Sequence, residues 1–125
     1  MRPALAAALA VAATLGAGPA RADDVVVRLV DDRFEPAELM LEHGKPYRLR
    51  LENAGKEMHE FKAKAFFAAA TITGGAEAMT ADRSEIVVQP GQAKQIELTA
   101  PAPGSYELTC PDHDWDGMVG KITVR

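Results

Sequence analysis

The sequence predicts an all-β fold, a Greek-key β-sandwich of about seven to eight strands with a short helical insertion. Three observations carry that prediction. Short segments alternate apolar and polar residues with the period of two expected of a half-buried strand. Turn-forming groups punctuate them: His43-Gly44-Lys45-Pro46, Gln89-Pro90-Gly91-Gln92 and Pro101-Ala102-Pro103-Gly104. A single Ala- and Phe-rich stretch, Lys64 to Thr73, reads differently.

Val25 to Val30 is a nearly continuous apolar strand, and Glu38 to Glu42 is a short one ending in the His43 turn. Tyr47 to Asn53 alternates cleanly, with Tyr47, Leu49 and Leu51 on one face and Arg48, Arg50 and Glu52 on the other. Ser84 to Val88, Lys94 to Thr99, Ser105 to Cys110 and Val119 to Val124 complete the set. Within Lys64 to Thr73, Phe66, Phe67 and Ala70 share a helical face, and Gly74-Gly75 stops the helix after one or two turns. A loose polar connection to Ser84 is expected to follow.

Residues 1–22 read as a cleavable secretory leader. Arg2 gives a positive start, Ala4 to Leu15 is the apolar run, and Ala20-Arg21-Ala22 fits a small-x-small cleavage site before Asp23. The run is too short to span a bilayer, and one Arg does not make a twin-Arg signal. The expected mature chain, 23–125, is then one domain of 103 residues, periplasmic, without a membrane span and monomeric. It carries 12 Lys and Arg against 18 Asp and Glu, a net charge of −6 with histidines neutral. Such a surface argues against nucleic acid as a partner and for a basic protein partner, drawn in by charge.

The lone cysteine, Cys110, cannot form an intramolecular disulfide. An unpaired cysteine in an exported chain is a liability unless buried or coordinated. It opens the run Cys110-Pro111-Asp112-His113-Asp114-Trp115-Asp116-Gly117-Met118, which offers a thiolate, an imidazole and a thioether within nine residues. Those donors suit copper, and His, Cys and a weak axial Met make up a blue-copper site. Zinc takes Cys and His too, but a thioether serves it poorly. His59 is the best fourth donor.

Each residue alone has a bland reading: a buried cysteine, a core methionine, a solvated loop histidine. Strand parity favours the joint reading. Cys110 is in phase with Tyr106 and Leu108, Met118 with Ile122 and Val124, and His59 with Phe61, Ala63 and Ala65. His113, in the intervening loop, is placed to close over a metal. Met40, Met58, Met79 and His43 lack this company and are read as packing or exposed residues. Trp115 is read as a shield for the metal, a partner contact or a cap on the sandwich edge.

The C-x2-H-x4-M spacing, the Asn53-Ala54-Gly55 turn before His59 and the closing Gly117-Met118-Val119-Gly120-Lys121-Ile122-Thr123-Val124 resemble a cupredoxin. The ligand loop is similar in spacing to the plastocyanin and pseudoazurin branches. His59-Glu60-Phe61, Pro90-Gly91 and Pro103-Gly104-Ser105-Tyr106-Glu107 look closer still to bacterial periplasmic cupredoxin-like domains, including the iron-uptake-associated (EfeO-type) ones. The resemblance covers Val25 to Arg125. It implies one type 1 copper ion ligated by His59, Cys110, His113 and Met118. Plastocyanin-like proteins commonly carry Asn after the first ligand His, whereas Glu60 stands here, and Pro111 directly follows Cys110.

No nucleophile–base arrangement or phosphate loop is visible, and four protein donors leave no open metal position, so an enzyme is not expected. The leading expectation is a periplasmic electron carrier cycling Cu(II)/Cu(I) with a basic redox protein partner. A copper-binding or delivery protein, or an accessory module of a metal-uptake system, is the alternative. Asp112, Asp114 and Asp116 around His113 favour the more positive oxidised ion, or are simply solvated loop carboxylates.

Overall fold

The computed structural model describes residues 10–13, 16 and 21–125. Residues 1–9, 14–15 and 17–20 of the expected leader lie outside the described residues. Ten strands are found among those described, where seven to eight were expected. They are β1 (Asp23–Val30), β2 (Arg33–Glu35), β3 (Glu38–Leu41), β4 (Pro46–Asn53) and β5 (His59–Lys62), then β6 (Thr71–Gly74), β7 (Glu85–Val88), β8 (Ala93–Thr99), β9 (Gly104–Thr109) and β10 (Val119–Val124). One helix, α1 (Lys64–Ala69), lies between β5 and β6.

The strands form two five-stranded sheets, in the orders β2-β1-β4-β8-β6 and β3-β10-β9-β5-β7. The chain passes repeatedly from one sheet to the other, so each inward face finds its cover on the opposite sheet. Parallel pairing of β1 with β4 sets Val27 beside Leu51. Antiparallel pairing of β9 with β10 sets Leu108 beside Gly120 and Tyr106 beside Ile122. Val27, Leu29, Leu51, Phe61, Ile86, Ile96, Leu108 and Ile122 are fully buried between the sheets. Burying each such side chain is worth about 1.5–3 kcal/mol, which outweighs any local strand preference. Phe61, two residues beyond His59, meets Phe34 edge-on at 5.8 Å and Phe67 at 5.9 Å.

Three expectations are corrected. Helix α1 stops at Ala69, and Thr71–Gly74 extends as a strand on the edge of β8 instead of finishing the helix. Thr71, Ile72 and Thr73 are β-branched, and the open edge of β8 supplies their hydrogen bonds. Because α1 begins at Lys64, the strand parity ends at Ala63; Ala65 is exposed and Phe66 and Phe67 turn into the core.

The connection to Ser84 is also not loose. A 3-10 turn over Ala76–Ala78 precedes Met79, which is buried. The Asp82 carboxylate then accepts hydrogen bonds from Thr80 Oγ1 at 2.8 Å, Ser84 Oγ at 2.9 Å and Ser84 N at 3.1 Å. Those three donors, Thr80 first, hold the Asp82 carboxyl down to about 2. A short polar stretch that looks unstructured in sequence thereby closes on itself.

Candidate metal centre

One end of the sandwich gathers the donors. β5 begins at His59 with its side chain wholly buried. β9 ends at Thr109, so Cys110 leaves the strand while still pointing inward, and it too is wholly buried. From there the chain makes a tight loop closed by its own backbone. Cys110 N–H donates to Met118 O at 3.1 Å, His113 N–H to Cys110 O at 2.9 Å, and Met118 N–H to His113 O at 3.1 Å. Gly117 takes φ 90°, a conformation other residues adopt only under strain, and lets the loop turn back into β10. Met118 is wholly buried at that return.

His59 Nδ1 lies 3.9 Å from Cys110 Sγ, and His113 Nδ1 lies 3.4 Å from it. The ligand atoms of these three residues all fall within 4.8 Å of one another. At metal–nitrogen and metal–sulfur lengths of about 2.05 and 2.3 Å, donors around one ion stand about 3.3–3.8 Å apart, so the trio fits a single ion. Met118 is hydrogen-bonded through its backbone to Cys110 and His113 and has a wholly buried side chain, and a set of two imidazoles, one thiolate and one thioether fits copper better than zinc. Three of the four expected donors, His59, Cys110 and His113, are brought together at one end of the fold, and the fourth, Met118, lies buried at the end of the same loop. Met40 is exposed, His43 is exposed, and Met79 is buried in the core.

The surroundings are polar in a directed way. Glu60 N–H donates to Cys110 Sγ at 3.3 Å. That contact needs only the backbone, so the loop is tied to β5 without an Asn at position 60. Burial pushes the Glu60 carboxyl up, with Glu85 and Asp112 adding to the rise. Burial likewise raises the Cys110 thiol, against the backbone N–H groups of Glu60, Asp112 and His113. Burial lowers the His59 imidazole, and the neighbouring His113 lowers it further. Both trends make the metal-free site a poor place for charge, which a bound cation relieves.

Two residues that the sequence did not mark complete the site. Buried Asn53 donates through Nδ2 to Glu57 O at 2.7 Å and to Val88 O at 2.8 Å, and accepts from Gly55 N–H at 2.9 Å. Lys56 N–H donates to Asp31 Oδ1 at 2.8 Å. The 53–57 loop is thus anchored to β7 and to the β1–β2 turn. From it Glu57 Oε2 reaches His113 Nε2 at 2.7 Å. In the sequence Asn53 stands out only as part of a turn, and nothing there points to Glu57. Beyond them lies an open groove of about 550 Å³, lined by Asp31, Arg33, Lys56, Glu57, His113 and Asp116. Trp115 is 77% exposed and donates Nε1–H to Asp112 O, so it does not shield the donors.

Comparison with known proteins finds relatives along nearly the whole chain. The model of the cupredoxin-like domain family matches residues 3–124. Chloroplastic plastocyanin of Oryza sativa subsp. indica is 33% identical over 126 residues, covering 96% of this chain and 75% of the relative. Chloroplastic plastocyanin of Hordeum vulgare is 31% identical over 125 residues, covering 96% and 74%. Among solved structures, auracyanin B superposes with a TM-score of 0.62 at 23% identity, over 87% of this chain and 93% of that one.

Proposed function

The chain belongs to the cupredoxin-like family, and from that premise we propose that it is a type 1 copper protein carrying single electrons in the periplasm. The observation that carries the proposal is the buried trio His59 Nδ1, Cys110 Sγ and His113 Nδ1, with Met118 wholly buried at the end of the same loop. Copper, when bound, supplies a one-electron Cu(II)/Cu(I) couple. The protein supplies the rest. Cys110 gives the strong thiolate donor and Met118 the weak axial one. His59 is held by β5, and His113 brings the edge of its ring towards the groove. Both sheets and the closed loop keep these atoms where either oxidation state needs them, which keeps rearrangement small.

Four protein donors leave no position for a substrate, so the reading is that of a carrier and not of an enzyme. Delivery of the ion needs an opening route. The 73–83 connection, the one long candidate, is pinned by Met79 and Asp82, which supports the carrier reading. A periplasmic location rests on the leader motif alone. The narrower likeness to iron-uptake-associated domains rests on His59-Glu60-Phe61, Pro90-Gly91 and Pro103 to Glu107. It would set the same copper site beside a metal-uptake system, and an absence of linked transport genes would remove it.

The visible spectrum of the copper-loaded mature protein tests the main reading. An intense thiolate-to-copper band is expected, lost in Cys110→Ser because the donor of that transition is the sulfur. A folded wild type that stays colourless with Cu(II) overturns it. The expected basic redox partner is tested by salt. Exposed charges are screened over about 8 Å at physiological ionic strength, so the rate with a cationic acceptor should fall as salt rises. It should fall less when Asp112, Asp114 and Asp116 are all changed to Asn, and a salt-independent rate counts against charge steering.

A further inference from the structure

Glu57 is the one carboxylate among the described residues in hydrogen-bond contact with a donor residue of the metal centre. Its own side chain is 68% exposed, so the pair adds little to stability. Its backbone, however, is fixed: the Glu57 carbonyl accepts from buried Asn53, which in turn is held by Val88 O, and Lys56 N–H is held by Asp31. The carboxylate is therefore presented to His113 from a rigid base. On the other side of the ring, Nδ1 faces Cys110 Sγ at 3.4 Å.

We infer that Glu57 is a positioning residue for the copper site: it takes the Nε2–H of His113, which fixes the tautomer and ring plane that aim the Nδ1 lone pair at the metal. The inference rests on the copper reading above. A histidine ligand whose outer N–H is given to a carboxylate is oriented and made more basic, and loss of such a partner typically costs 10- to 100-fold in metal affinity. The added negative charge also favours the more positive ion. Cu(II) binding should therefore depend on Glu57 more than Cu(I) binding does. His59 has no such partner: its Nε2 is buried without a hydrogen bond to protein. The two imidazoles are thus tuned differently, and only His113 through a group that reaches solvent.

Three measurements test this. Chelator competition should show Glu57→Ala losing about 10- to 100-fold in Cu(II) affinity. If Cu(I) affinity falls tenfold less, voltammetry reads the difference as a rise of about 59 mV. Glu57→Gln, which keeps an acceptor and loses the charge, should fall between wild type and Glu57→Ala. Asp114→Asn, which removes a loop charge that does not touch His113, should move the potential less than either. Imidazole ¹⁵N shifts of the metal-free protein at pH 8 should show His113 protonated at Nε2 in wild type and as a tautomer mixture in Glu57→Ala. Unchanged tautomer and unchanged affinity ratio in a folded Glu57→Ala protein overturn the inference. A wild type that shows the His113 tautomer yet gives no thiolate band would instead overturn the copper reading.

Discussion

His59 opens a strand paired through its whole length with β7, while His113 sits in a nine-residue loop whose backbone hydrogen bonds close on the loop itself. Both present Nδ1 to Cys110, yet the supports differ. Around His59 the chain is dense. A side chain at Gly55 would come within 3.0 Å of His59 Nε2 and 2.6 Å of Asp31 Oδ1, so glycine is the residue that lets the 53–57 loop lie against the ring. Around His113 the ring edge borders an open groove, where Glu57 meets its Nε2. One ligand is set by strand pairing; the other is set by a loop and a side chain that reaches it from across the groove. Exchange with partners should run through the loop, whose histidine borders the groove.

The widest separation between the two regions is expected from ligand deletion. Glycine substitution at either histidine removes a donor, but added imidazole should refill only the site that opens on the groove. His113→Gly should regain its thiolate band at a lower imidazole concentration than His59→Gly, because only the first vacancy opens on the groove. Titration of the two copper-loaded variants with imidazole, followed in the visible, measures it. Equal recovery at both positions would break the comparison.

A smaller effect is expected from acid at a place far from either ligand. The Asp82 carboxyl sits at about 2 in the folded chain, below the ordinary 3.8, because Thr80 and Ser84 bond its charged form. A depressed carboxylate contributes stability that is full above its unfolded value and is lost as pH falls through the folded one. The Thr80–Ser84 turn should therefore weaken between about pH 4 and pH 2, and Asp82→Asn should flatten that part of the stability curve. Chemical denaturation of wild type and variant across this window checks it. A steeper curve in the variant would mean that the turn does not depend on the charge.

The sequence made the frame more legible than the details that finish the site. Period-two alternation marked β4, β9 and β10 because one face of each is buried and the other is wet, and the same parity placed Cys110 and Met118 inward. β2 and β6 were missed because each is short and lies on a sheet edge, so its existence depends on the neighbour and not on its own pattern. The Asp82 turn was read as loose because polar residues that bond one another look the same in sequence as polar residues that bond water. Glu57 was invisible for a further reason: it meets His113 from 56 positions away, across a loop whose course is set by Asn53.

The separation of the donors along the chain has a consequence for unfolding. Cys110, His113 and Met118 are close neighbours in sequence, but His59 lies 51 residues before Cys110. An ion held by both is a non-covalent cross-link that ties a long loop of the chain, as a disulfide would. For a link of that span, the lost freedom of the unfolded chain amounts to about 4 kcal/mol. A chain whose single cysteine can form no internal disulfide would thus obtain its staple from the metal. The copper-bound protein should resist thermal and chemical unfolding well beyond the metal-free one, and the His59→Gly chain, though still able to bind through its loop, should lose most of that gain.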